Sequence, residues 1–95
     1  MKPDFVVTRH AALVEYLKEE GVVEKDVEVV PHAFSDQLIG RHVCGVLPIA
    51  LAAFADAITV IPLSIPPELR GQDLSIEQVR EFAHPPRTFI VKEIT

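Results

Sequence analysis

Thr8, Arg9 and His10 set a hydroxyl, a permanent cation and an imidazole side by side, where a β-branched run gives way to a helical pattern. Such a turn suits an anion, because the first N–H groups of the helix and its dipole favour negative charge. Imidazole changes charge near neutral pH, so His10 is the candidate acid or base, and Arg9 beside it strengthens the preference for an anion. The competing structural reading has Thr8 or His10 capping the helix and Arg9 pointing to solvent. Further on, Ser64 and Arg70 stand in Pro62 to Leu74, a stretch whose three prolines and one glycine make a long, stiff loop. Ser64 lacks the G-x-S-x-G setting of a hydrolase nucleophile and is better suited to holding a phosphate. Arg70 lies between a double proline and a glycine, where a stiff loop lowers the entropic cost of positioning its charge; the alternative is a surface pair with Glu68 or Asp73.

The remaining reactive side chains are weaker candidates. His32 follows what reads as an edge strand and is a second, more distant imidazole. His42 precedes a strand and His84 sits in a helix stop beside two prolines, so both read as structural. Cys44 falls inside a central strand and is expected to be inert. No His, Cys or acidic residues have metal-ligand spacing, and neither G-x-G-x-x-G nor a Walker loop is present, so neither a metal nor a cofactor is expected.

The elements that must position these residues alternate along the chain. Asp4 to Thr8 reads as a strand and Ala11 to Glu20 as a helix stopped by Gly21, with Leu13, Val14 and Leu17 on its apolar face. Val27 to Val30 reads as an edge strand, followed by a turn of helix near Ser35 to Leu38. Val43 to Leu47 and Ile58 to Ile61 are nearly all apolar, as strands covered on both faces tend to be. Between them lies a short Ala-rich helix that opens at Pro48 and runs through Ala55. Ser75 and Gln78 form a capping box for a last helix, and Thr88 to Ile94 is the final strand. This order predicts an α/β class: a small, Rossmann-like, mostly parallel five-stranded sheet with flanking helices. Right-handed crossovers put the first strand inside, the second at one edge, the third and fourth on its other side, and the last antiparallel at the far edge. Ligands of such sheets bind beyond the carboxyl ends of the strands where the order reverses. That places Thr8, Arg9 and His10 beside Leu47, Pro48 and the Leu63 to Ile65 segment, with Arg70 able to fold over the opening.

Composition bounds the rest. A chain of 95 residues, 48% hydrophobic and 24% charged, builds one globular domain over 1–95, and a domain this small gains from a homodimer that hides an apolar face. The amino terminus shows no secretion signal, and Gly45, Pro48, Asp56 and Pro62 interrupt the one long apolar region, so a cytoplasmic protein without a membrane segment is expected. A net charge of -5 argues against bulk DNA or RNA binding but leaves room for a small polyanion held by a few convergent arginines.

Three strings, VVTRHAALVEYLKEEG, GVLPIALAAFAD and IPLSIPPELRGQDLS, together resemble the small CRISPR-associated accessory proteins of the Csx series, nearest its sixteenth group, found with type III systems. The resemblance spans nearly the whole chain in the same order. It implies a Rossmann-like homodimer that recognises cyclic oligoadenylate, cyclic tetraadenylate in the first instance, and cleaves it as a metal-independent ring nuclease. The implied site falls on Thr8, Arg9 and His10, on Gly45 to Pro48 and on Ser64 to Arg70. The family often has His or Asn two residues after the Leu-Pro, where Ala50 stands here, so that position can have no direct role. A non-catalytic binder of the same messenger, or a protein-interaction module without a nucleotide site, remains open at this level.

Overall fold

A computed structural model of the chain describes residues 2–95. Its elements are β1 (Phe5–Val7), α1 (Ala11–Glu19), β2 (Glu28–Val30), α2 (Ser35–Leu38), β3 (His42–Gly45), α3 (Ile49–Ala52), β4 (Ala57–Val60), a 3-10 turn (Pro67–Leu69), α4 (Ile76–Phe82) and β5 (Arg87–Phe89). The five strands form one mixed sheet in the order β2-β1-β3-β4-β5. β2, β1, β3 and β4 pair in parallel and β5 runs antiparallel to β4 at the edge. This is the order the sequence predicts. Among the described residues no helix is long and apolar enough to cross a membrane.

Two apolar layers sandwich the sheet because its strands alternate between them. Val6, Cys44 and Ile61 face α1 and meet Leu17, Val23 and the partly buried Leu13 and Tyr16. Phe5, Val7 and Val43 face the other way and pack with Leu38 of α2 and Ala55, just past α3. Leu17 and Leu38 are fully buried, and each such side chain contributes about 1.5–3 kcal/mol of transfer free energy.

Local chemistry sets the helix limits. Good helix formers fill α1, and it closes in a Schellman motif: Gly21, at φ 72°, donates to Lys18 O, and Val22 donates to Leu17 O. α4 opens on the expected box, with Gln78 N donating to Ser75 Oγ and Ser75 N to Gln78 Oε1. An ion pair joins the two helices, as Arg80 Nε and Nη2 donate to the Glu19 carboxylate at 2.8 and 2.5 Å.

Several boundaries differ from expectation, each for a tertiary reason. β3 ends at Gly45 rather than Leu47 because the backbone there turns to φ 143°. Pro48 caps α3 from outside instead of opening it, and α3 stops at Ala52 because a backbone bridge from Ile39 captures Ala55. β5 is only Arg87–Phe89, since Phe89 pairs with Ile58 near the start of β4 and nothing beyond it has a partner strand. The stiff loop contains one 3-10 turn, nucleated by Pro67 at its first position.

Gly45 is the tightest point of the sheet. A Cβ there would lie 2.3 Å from Val7 O, at a φ that L side chains rarely adopt. Gly45→Ala is therefore expected to lower the unfolding free energy by about 2 kcal/mol or more, read from the urea midpoint. The Arg80 hydrogen bond, reinforced by its charge, holds the Glu19 carboxyl below its ordinary value of 4.5. Its stabilising effect is thus complete above that value and lost as pH falls through the lower folded one. Arg80→Ala should narrow the difference in thermal midpoint between neutral and acid pH; an unchanged difference would show that the pair is inert.

Candidate functional site

The carboxyl ends of β1 and β3 diverge around a cavity of about 370 Å³. Thr8, Arg9 and His10 form one wall, Pro31 and His32 another, and Cys44, Gly45 and Val46 line the β3 side. The opening lies between β1 and β3 because the chain leaves β1 for β2 on one side and continues from β3 to β4 on the other.

The turn into α1 is polar and uncapped. His10 occupies the N-cap position with extended backbone, yet no side chain accepts a hydrogen bond from the first turn, and that turn contains no acid. Thr8 Oγ1 instead accepts from His10 N at 3.2 Å, so the hydroxyl shapes the turn and leaves the later N–H groups of α1 open. A smaller hollow lined by Arg9, His10, Ala11, Ala12 and Asp73 lies over that first turn.

Charge commitments separate the arginines. Arg80 is tied to Glu19, while Arg41 and Arg87 lie over the Phe5 and Phe89 rings at 5.2 Å. Arg9 and Arg70, the two selected from sequence, make no ion pair or ring contact among the described residues. Arg70 is exposed at the end of the 3-10 turn and does not pair with Glu68 or Asp73.

The structure divides the sequence-selected residues. Thr8, Arg9, His10 and Gly45 surround the cavity, and so does His32, the imidazole given less weight. Leu47, Pro48, Ser64 and Arg70 are not among its lining residues. Leu47 packs against the apolar layer of Phe5 and Val43 instead. Ser64 Oγ bonds to His84 Nε2 at 2.5 Å, flanking the Leu63 to Ala83 backbone bridge. That contact fastens the stiff loop to the end of α4, a role for His84 that a helix stop in the sequence did not reveal. His42 lies at the opposite, amino end of the sheet, where its Nε2 and the buried Thr59 hydroxyl are 2.6 Å apart.

Two neighbours of the cavity were not evident in the sequence. Asp73 Oδ1 lies 3.7 Å from His10 Nδ1, a distance set by how the loop folds back rather than by any local pattern. Cys44 contributes to the cavity wall while remaining 2% exposed, and burial pushes its thiol up to about 11. The thiolate is the reactive form, so iodoacetamide at pH 8 should leave Cys44 unmodified in the native protein and alkylate it in denaturant. Rapid native-state alkylation would show that the cavity opens to its floor.

No curated protein and no solved structure shows significant similarity to the chain. Residues 5–92 match the family described as "Putative CRISPR-associated protein (Cas_VVA1548)". That match covers all five strands and every helix, and the chain belongs to this family of CRISPR-associated proteins.

Proposed function

We propose that this chain is a ring nuclease that binds cyclic oligoadenylate, cyclic tetraadenylate first, and opens it without a metal. The carrying observation is the cavity at the β1–β3 divergence, where Arg9, without an ion pair among the described residues, meets His10, His32 and the uncapped start of α1. A guanidinium beside open helix N–H groups is suited to a phosphodiester. Family membership supplies a CRISPR-associated setting, and the resemblance to the Csx proteins of type III systems points to such a ring as the polyanion.

The chemistry needs only the substrate's own nucleophile. A ribose 2′-hydroxyl attacks the adjacent phosphorus, the P–O2′ bond forms as P–O5′ breaks, and the products are a 2′,3′-cyclic phosphate and a 5′-hydroxyl. One imidazole takes the 2′-hydroxyl proton and the other returns a proton to the departing 5′-oxygen, roles that fall to His10 and His32. Arg9 offsets the charge that builds on the phosphoryl oxygens. A two-fold homodimer would present each of these groups twice to a two-fold ring. Val46 and Ile49, 80% and 78% exposed at the end of β3 and the start of α3, supply an apolar surface for a second copy next to the cavity.

One observation favours a second reading, binding without cleavage: His10 is largely exposed, and no acceptor among the described residues lies within hydrogen-bond distance of its ring to orient it. Incubating the protein with cyclic tetraadenylate and a chelator, with products followed by chromatography, separates the two. Linear products are expected from the wild type. His10→Ala should retain binding and lose about 10²-fold or more in rate, while Arg9→Ala should weaken binding about tenfold or more. An intact ring that co-elutes with the protein would select the binder, and no binding would defeat both.

A further inference from the structure

Beside the cavity lies a second, narrower one of about 250 Å³ that no step above uses. It runs between α1, α4 and the stiff loop, and its walls are largely apolar, with Leu13, Leu63, Ile65, Leu69 and Leu74 prominent. Gln72 and Asp73 supply its polar side chains on the loop, and His10 stands where it meets the first cavity. His10, Leu13 and Leu63 line both, so the two are contiguous.

We infer that this slot is a nucleobase subsite that takes a planar ring carrying an exocyclic amino group, adenine in the proposed ligand. Its volume lies below the ~300–1,000 Å³ of sites for whole drug-sized ligands, which suits a ring system alone. Apolar walls of leucine side chains suit the face of an aromatic ring, and through the shared His10 wall the slot opens beside the cavity that Arg9 lines. The polar groups set the choice of base. Asp73 is an acceptor only, so it receives an N–H from an amino group and repels a keto oxygen at the same place. Gln72 donates one amide hydrogen to Glu68 O at 3.2 Å, which leaves its second N–H and its carbonyl for a ring nitrogen and its neighbour. Among purines, an amino group beside a ring acceptor is the pattern of adenine, whereas guanine presents a keto oxygen there. The carboxylate that a phosphate site would avoid thus belongs to the base.

This inference rests on the proposed function, and the experiment separates their failures. Calorimetry would compare cyclic tetraadenylate with the same ring built from purine riboside, which lacks the amino group, on wild type, Asp73→Ala, Leu69→Trp and Arg9→Ala. Wild type should prefer the adenine ring about tenfold or more, since a hydrogen bond to a charged group is lost in the analogue. Asp73→Ala should bring that ratio close to one; removing a negative charge strengthens both rings alike, so the ratio is unaffected by it. Leu69→Trp fills the slot and should weaken both rings at least about tenfold. Asp73 is fully exposed at its side chain, so its variant stays folded even if the tryptophan is not tolerated. A ratio unchanged by Asp73→Ala, with binding still weakened in Arg9→Ala, would overturn the base slot and leave the phosphate site standing. Failure of the wild type to bind either ring would overturn both.

Discussion

No side-chain atom fits between β1 and β3 at their carboxyl ends, and the site depends on that exclusion. Val7 and Gly45 are register partners there, and the Val7 carbonyl occupies the space a Cβ at position 45 would need. The two central strands therefore stay in register up to their last residues and then part abruptly. Beyond the contact, β1 turns through Thr8 into α1 and β3 turns outward through Val46, so the cavity between them begins at a glycine rather than at a bulky apolar residue. The two layers of core on either side hold that geometry, because Val7 and Val43 anchor one face while Val6 and Cys44 anchor the other.

The same economy governs charge. This acidic chain commits three of its five arginines elsewhere and leaves Arg9 uncommitted among the described residues, next to a helix start that lacks both a cap and an acid, which is the arrangement the proposed anion site needs. Asp73 is the counterweight. Its carboxylate is exposed and therefore well screened, so it would weaken the proposed phosphate contact without cancelling it.

The architecture was legible because parallel strands buried on both faces announce themselves. VCGVL and ITVI are nearly all apolar, VEVV alternates, and the handedness of crossovers then leaves few orders to choose from. The boundaries were less so, since Ala55 reads as helical until a bridge from Ile39 claims its backbone. At the site, Thr8, Arg9, His10 and Gly45 could be placed together because they belong to strand ends, whose positions follow from topology. Ser64, Arg70 and Asp73 belong to a loop of three prolines, and its path depends on the Ser64 to His84 contact between residues twenty apart in sequence. A pairing of that kind has no local signature, and so the second cavity, which the loop walls in, had none either.

The sheet's margins have a consequence for the company the molecule keeps. β2 and β5 are three residues each, and β5 is preceded by two prolines that cannot donate to a ladder. So short an edge gives an incoming strand little to template on, which blunts the usual route from an open sheet to runaway strand addition. Self-association through the backbone is thereby disfavoured at both ends, and contacts with other molecules are left to the faces, where side chains rather than amides decide the partner.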